Sequence, residues 1–158
     1  MTSQPVIARS DATKQSRAAA HPAIIVHSLA HAVAALGAAA EAGRAVVLAS
    51  APEAGIQAGP GWWRELVAAA REAVPAARFT ALLDCGDDAG AAQGAMRGGV
   101  EGVIFTGHAE IADRLADIAS RRGCRLVTRR PAPALDLATE FFAPSDRLRR
   151  RCAEYLSA

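Results

Sequence analysis

From His21 onward the chain alternates short runs of β-branched and aliphatic residues with longer alanine-rich stretches at helical spacing. That alternation is the pattern of βα units laid around a parallel sheet. Strands are expected at Ala23 to Val26, Ala45 to Ser50, Arg78 to Asp84, Gly102 to Thr106 and Arg125 to Thr128. A helix follows each of the first four. The first covers Ser28 to Ala42, with Leu29, Val33 and Leu36 on one face, and stops at Gly43, where a left-handed cap is easiest. The second begins after Gly59-Pro60-Gly61 and ends before Pro75; the third is capped by Asp87 or Asp88 and ends at Gly98-Gly99. Ala109 to Arg122 is the fourth, with Ile111, Leu115 and Ile118 turned inward. Arg129 to Leu137, interrupted by Pro131 and Pro133, reads as an irregular connection to a last helix near 145–157, capped by Ser145.

Residues 1–20 have few large apolar side chains and read as a mobile N-terminal arm, leaving 21–158 as a single α/β domain. At 158 residues, 51% hydrophobic and 22% charged, the chain suits one such domain with a substantial core. A net charge of +2, with Lys14 the only lysine among 18 basic residues, does not describe a nucleic-acid surface. Arg147, Arg149, Arg150 and Arg151 lack interleaved aromatics and read as a solvated helix face. The longest apolar runs are too short to span a bilayer and no leader pattern is present, so a cytoplasmic protein is expected. Cys85, Cys124 and Cys152 are odd in number and without CxxC spacing, which points to reduced thiols.

In parallel α/β proteins the ligand site lies at the carboxyl ends of the strands. His27 and Ser28, Ser50, Asp84 and Cys85, Thr106 and His108, and Thr128 with Arg129 all fall there. Asp84 is the candidate acid/base group, because a carboxylate at a strand end is readily desolvated and tuned. Cys85 is a candidate metal ligand or nucleophile. His108 opens a helix, where an imidazole can meet an anion; His27, Ser50 and Thr106 complete a candidate ligand-binding rim. His27 and His31 are four apart but lack a third ligand at useful spacing, so they read as core-edge histidines. Trp62 and Trp63 are adjacent on a helix and cannot enter one core together, so one is expected to cover the sheet and the other to reach a rim, pocket or partner.

The run from Ile25 to Val127 resembles the first half of the class II, fructose-bisphosphate-type aldolases. Ser28-Leu29-Ala30 through Glu41-Ala42-Gly43 and Val46-Val47-Leu48-Ala49-Ser50 is similar to that family's first helix and second strand. Leu82-Leu83-Asp84-Cys85-Gly86 resembles its His-Leu-Asp-His-Gly, and Ala95 to Gly107 resembles the segment that ends in an Asp-Gly pair. The resemblance implies a metal-dependent TIM barrel with Asp84 as the acid/base aspartate and Cys85 in the place of a zinc-ligating histidine, so zinc is the implied cofactor. Thr106 stands where the family has the aspartate of that pair, and the family's later strands, with their metal histidines and phosphate loops, have no counterpart here.

The fold expected is therefore an α/β domain of about five parallel strands with flanking helices, as a half TIM barrel or as a flavodoxin-like open sheet. A half barrel leaves two strand edges open, which implies a homo-oligomer. The function expected is an aldolase-like module without a complete catalytic site, binding a small anionic ligand or a protein partner. Two alternatives stand beside it. One is a small metal-assisted lyase completed at a subunit interface; the other is a receiver-like signalling domain with Asp84 as phosphoacceptor and Thr106 as switch residue.

Overall fold

The computed structural model describes residues 21–158, so the arm expected over 1–20 lies outside the described residues. Five strands stand where the sequence places them: β1 Ala23–Val26, β2 Val46–Ser50, β3 Phe79–Asp84, β4 Gly102–Ile104 and β5 Arg125–Val127. A sixth, β6 Ala134–Asp136, lies in the segment that reads as irregular. Its residues pair in parallel with Ala23, Ile24 and Ile25. Three residues between Pro133 and a 3-10 turn at Ala138–Glu140 carry too little periodicity to be recognised as a strand alone.

All six strands are parallel, in the order β5-β4-β3-β2-β1-β6. Sequential neighbours are the order of a (β/α)8 barrel, whereas flavodoxin-like and receiver folds reverse direction within the sheet. The sheet is open, as one of the two expected arrangements has it, but its strand order is not the reversed order of flavodoxin-like or receiver folds. β6 stands on the outer side of β1, where the last strand of a closed barrel would pair with the first.

Right-handed crossovers between sequential strands stack every helix on one face. The helices are α1 Leu29–Glu41, the short α2 Ala54–Gln57, α3 Gly59–Ala73, α4 Ala89–Arg97, α5 Ala109–Arg122 and α6 Ser145–Ser157. Against them lie Ile24, Val26, Leu48, Leu83, Val103, Phe105 and Leu135, one side of each strand's alternation. The opposite sides, Ala23, Val47, Ala49, Leu82 and Ile104, form a second, smaller buried cluster.

From β5 to β6 the chain has only residues 128–133. Seven Cα steps reach about 25 Å at most. That is too short to go around the helical layer, so the connection crosses the helix-free side and delivers Arg130 to the end of β3.

Local chemistry explains the helix ends. Ser28 caps α1 by accepting the N–H of His31 at 3.2 Å, and Asp88 caps α4 by accepting that of Ala91 at 2.8 Å. Ala35, Leu36 and Ala39 bring α1 close to α3 and α6; Gly37 leaves room for the Arg149 guanidinium, which pairs with Glu41. In α6, Leu148, Cys152 and Leu156 are buried, while Arg147 pairs with Glu140 at 2.9 Å.

Candidate functional site

Asp84 closes β3 on its helix-free side and is 1% exposed. Its Oδ1 accepts the N–H of Glu53 at 3.0 Å, the N–H of Gly86 at 2.9 Å and Arg130 Nη2 at 3.2 Å, while Oδ2 accepts Arg130 Nε at 2.7 Å. Its own N–H donates to Ser50 Oγ at 2.9 Å, and that hydroxyl donates to the carbonyl of Ala51 at 3.0 Å. One buried carboxylate thus ties the ends of β2, β3 and β5 together. The turns it organises have the backbone this demands. Gly86 has φ +56° and Glu53 φ +62°, a left-handed conformation that costs a non-glycine residue about 1 kcal/mol and persists where its N–H is held, as here.

Arg130 is the group so positioned. Its hydrogen bonds to Asp84 hold the guanidinium in its charged form, against the opposing effect of partial burial, and the charges of Asp84, Glu53 and Asp87 add to this. Nε and one Nη2 hydrogen face Asp84. Nη1 makes no hydrogen bond among the described residues, and the side chain is 44% exposed. The guanidinium therefore presents unpaired donors to the rim in a fixed orientation.

The next strand end lies beside it. Thr106 is exposed and its N–H donates to the carbonyl of Gly86 at 2.7 Å. Gly107 has no room for a side chain, since a Cβ there would fall 2.4 Å from Phe105 Cζ. His108 is exposed and stands at the N-cap of α5 without a side-chain cap. The carbonyl of His108 accepts from Ile111 and Ala112, and among the described residues no side chain caps the first N–H groups of α5.

Asp84, Ser50 and Thr106 are thus joined in one hydrogen-bonded rim, with His108 two residues beyond. His27 is not part of that network. It stands at the end of β1, its Nε2 2.6 Å from Asp136 Oδ1. Cys85 is separated from Asp84 by the pleat: its thiol lies among the helix-side core residues, and a Cβ on Gly55 would come within 2.5 Å of it. Burial, with the charges of Asp84 and Asp88 adding, pushes the Cys85 thiol up to about 12, and burial lifts Cys124 and Cys152 to about 11. Such thiols are neutral and sheltered at pH 8. The native protein is therefore expected to show no fast-reacting thiol toward a disulfide reagent at pH 8, and all three cysteines after denaturation; a rapidly labelled Cys85 would contradict this placement.

The zinc implied by the resemblance does not fit. The Cys85 sulfur points away from the rim, and among the described residues no three His, Cys, Asp or Glu side chains come together to hold a metal. Arg130, Glu53 and Asp136 escape a reading of the sequence alone. The sequence places Thr128 with Arg129 at the end of β5, and nothing local marks that the next residue, Arg130, is the arginine that turns to Asp84. A cavity of about 190 Å³ lies elsewhere, on the helix side, lined by Trp63, Arg71, Ala81, Val100 and Glu101 among others. Trp63 is 1% and Trp62 37% exposed, the division expected of adjacent helical positions.

Among the described residues no helix is long and apolar enough to cross a membrane. No family model matches the chain, and no curated protein matches it. Among solved structures it is similar to a candidate fructose-1,6-biphosphate aldolase from Coccidioides immitis, with a TM-score of 0.58 at 20% identity over 73% of this chain. The match spans 43% of that protein, less than half of its length. The likeness is one of fold: six parallel strands in barrel order with helices on one face, an aldolase-like α/β architecture.

Proposed function

We propose that this chain is an aldolase-like module that binds a small anionic ligand, a phosphate or carboxylate, at the carboxyl rim of its sheet. The observation that carries the reading is Arg130, oriented by a buried carboxylate at the strand-end rim, with its Nη1 making no hydrogen bond among the described residues. A guanidinium fixed in advance loses little entropy on binding and offers charge-assisted hydrogen bonds; in this reading the first N–H groups of α5 and the Thr106 hydroxyl, at the neighbouring strand end, would add further donors. In this reading Asp84 positions Arg130 and does not transfer protons, since its oxygens already serve four donors. Glu53 and Asp87 nearby favour a compact ligand over a highly charged one.

Inorganic phosphate and oxalate, titrated calorimetrically at low ionic strength, test the proposal. One site per chain is expected, with a dissociation constant on the order of 0.1–1 mM for a half-open site of this kind. Arg130→Lys keeps the charge facing Asp84 but loses the planar fork, and is expected to weaken binding about tenfold. Absence of saturable binding in the wild type would overturn the reading.

A further inference from the structure

At the ends of β1 and β6 lies a group that anion binding does not use. His31, in the first turn of α1, is fully buried. Its Nδ1 accepts the N–H of His27 at 3.2 Å, so the ring proton is on Nε2, which is buried without a hydrogen-bond partner among the described residues. The Phe141 ring meets His31 edge to face at 5.6 Å, and the His27 ring does so from another side at 5.9 Å. Phe141 belongs to the segment that follows β6. That segment is pinned by Leu137, whose N–H donates to the carbonyl of Ile25, by Asp136 Oδ1, which accepts the N–H of Ala138 at 2.9 Å, and by Glu140 on Arg147. Phe142, next in the chain, is 95% exposed.

A second proton on His31 has only Nδ1 to occupy, where the His27 N–H already points. The hydrogen bond would be lost and two hydrogens would face each other. The charge would sit on a fully buried ring at the positive end of a helix. The ionisable groups around it are His27, Asp136 and Glu140, the last already paired with Arg147. Relief is nearest through Phe141, which is already half exposed and lies outside the strands: its departure opens the ring to water, at the cost of the Glu140 and Phe141 carbonyls that favour the charged ring.

We propose that His31 is the acid sensor of a latch: neutral, it seats Phe141 and holds residues 138–143 closed, and protonation releases that segment with its Phe141-Phe142 pair. Burial, reinforced by His27, lowers the basicity of His31 from the ordinary 6.5, with the Glu140 and Phe141 carbonyls and Asp136 opposing. For a base weakened by folding, the stabilisation is complete above the unfolded value and is lost as pH falls through the folded one. The latch therefore holds above about pH 6.5 and loosens in acid, its opening equilibrium rising by about tenfold per pH unit for one proton.

Amide hydrogen exchange of residues 138–143 in the full chain, from pH 8 to 5 and corrected for intrinsic exchange, reads the latch. In the wild type, protection of this segment is expected to fall in acid by up to about tenfold per pH unit while the strands keep theirs. In His31→Asn, whose side-chain oxygen takes the place of Nδ1 as acceptor, protection should not depend on pH. Constant protection in the wild type, or the same acid loss in His31→Asn, would overturn the proposal. Should that variant not fold, an NMR titration of His31 in the wild type decides: a ring that protonates at or above 6.5 with Phe141 still packed contradicts the latch, and one that stays neutral until the segment opens upholds it.

Discussion

Asp84→Ala is expected to destabilise the protein by about 3 kcal/mol, a fall in melting temperature of roughly 10 °C for a chain of this size. The side chain is 2% exposed and serves four donors, two of them the backbone N–H groups of Glu53 and Gly86. Removing it strands those donors in a partly buried turn and releases Glu53 from its left-handed backbone. The lost contact with Arg130 contributes less than a buried ion pair would, because the guanidinium is half open to water. Asp84→Asn retains a carbonyl oxygen for one of the N–H groups and should lie between the wild type and alanine. Denaturant midpoints of the three proteins check the order; an alanine variant as stable as the wild type would mean that the rim is not organised by this carboxylate.

Trp63→Ala should cost more, about 3–5 kcal/mol, since the indole is among the largest fully buried side chains and packs between α3 and the sheet. Trp62 is the internal control. Its side chain is 37% exposed one position away, and its replacement by alanine should cost under about 1 kcal/mol. Equal losses at the two positions, measured by equilibrium unfolding, would contradict the assignment of Trp63 to the core.

The succession of parallel βα units was legible, though not its barrel-type strand order, because the units carry their own punctuation: β-branched runs, Asp87 or Asp88 as a cap, Gly43 and Gly98-Gly99 as stops. Asp84 was legible for the same reason, as the polar end of an apolar strand. β6 was not, because three residues gain strand geometry only from pairing with β1, a contact more than a hundred positions away in sequence. The partner of Asp84 was hidden likewise. Arg129 and Arg130 look alike in the sequence, and it is the crossing of residues 128–133 that selects the second. For Cys85 the family resemblance aligned the residue with a metal ligand, but strand alternation turns its thiol to the helix side once Asp84 faces the rim.

The most direct measurement is a two-dimensional ¹H–¹⁵N spectrum, including arginine Nε–H signals, recorded as inorganic phosphate is added at pH 7.5. If Arg130 is the anchored anion receptor, its Nε–H resonance and the amides of Thr106, Ala109 and Glu110 should move together along one saturable curve, while the strand amides stay fixed. Phosphate that leaves these four resonances unmoved, or shifts residues scattered over the arginines of α6, would contradict the account.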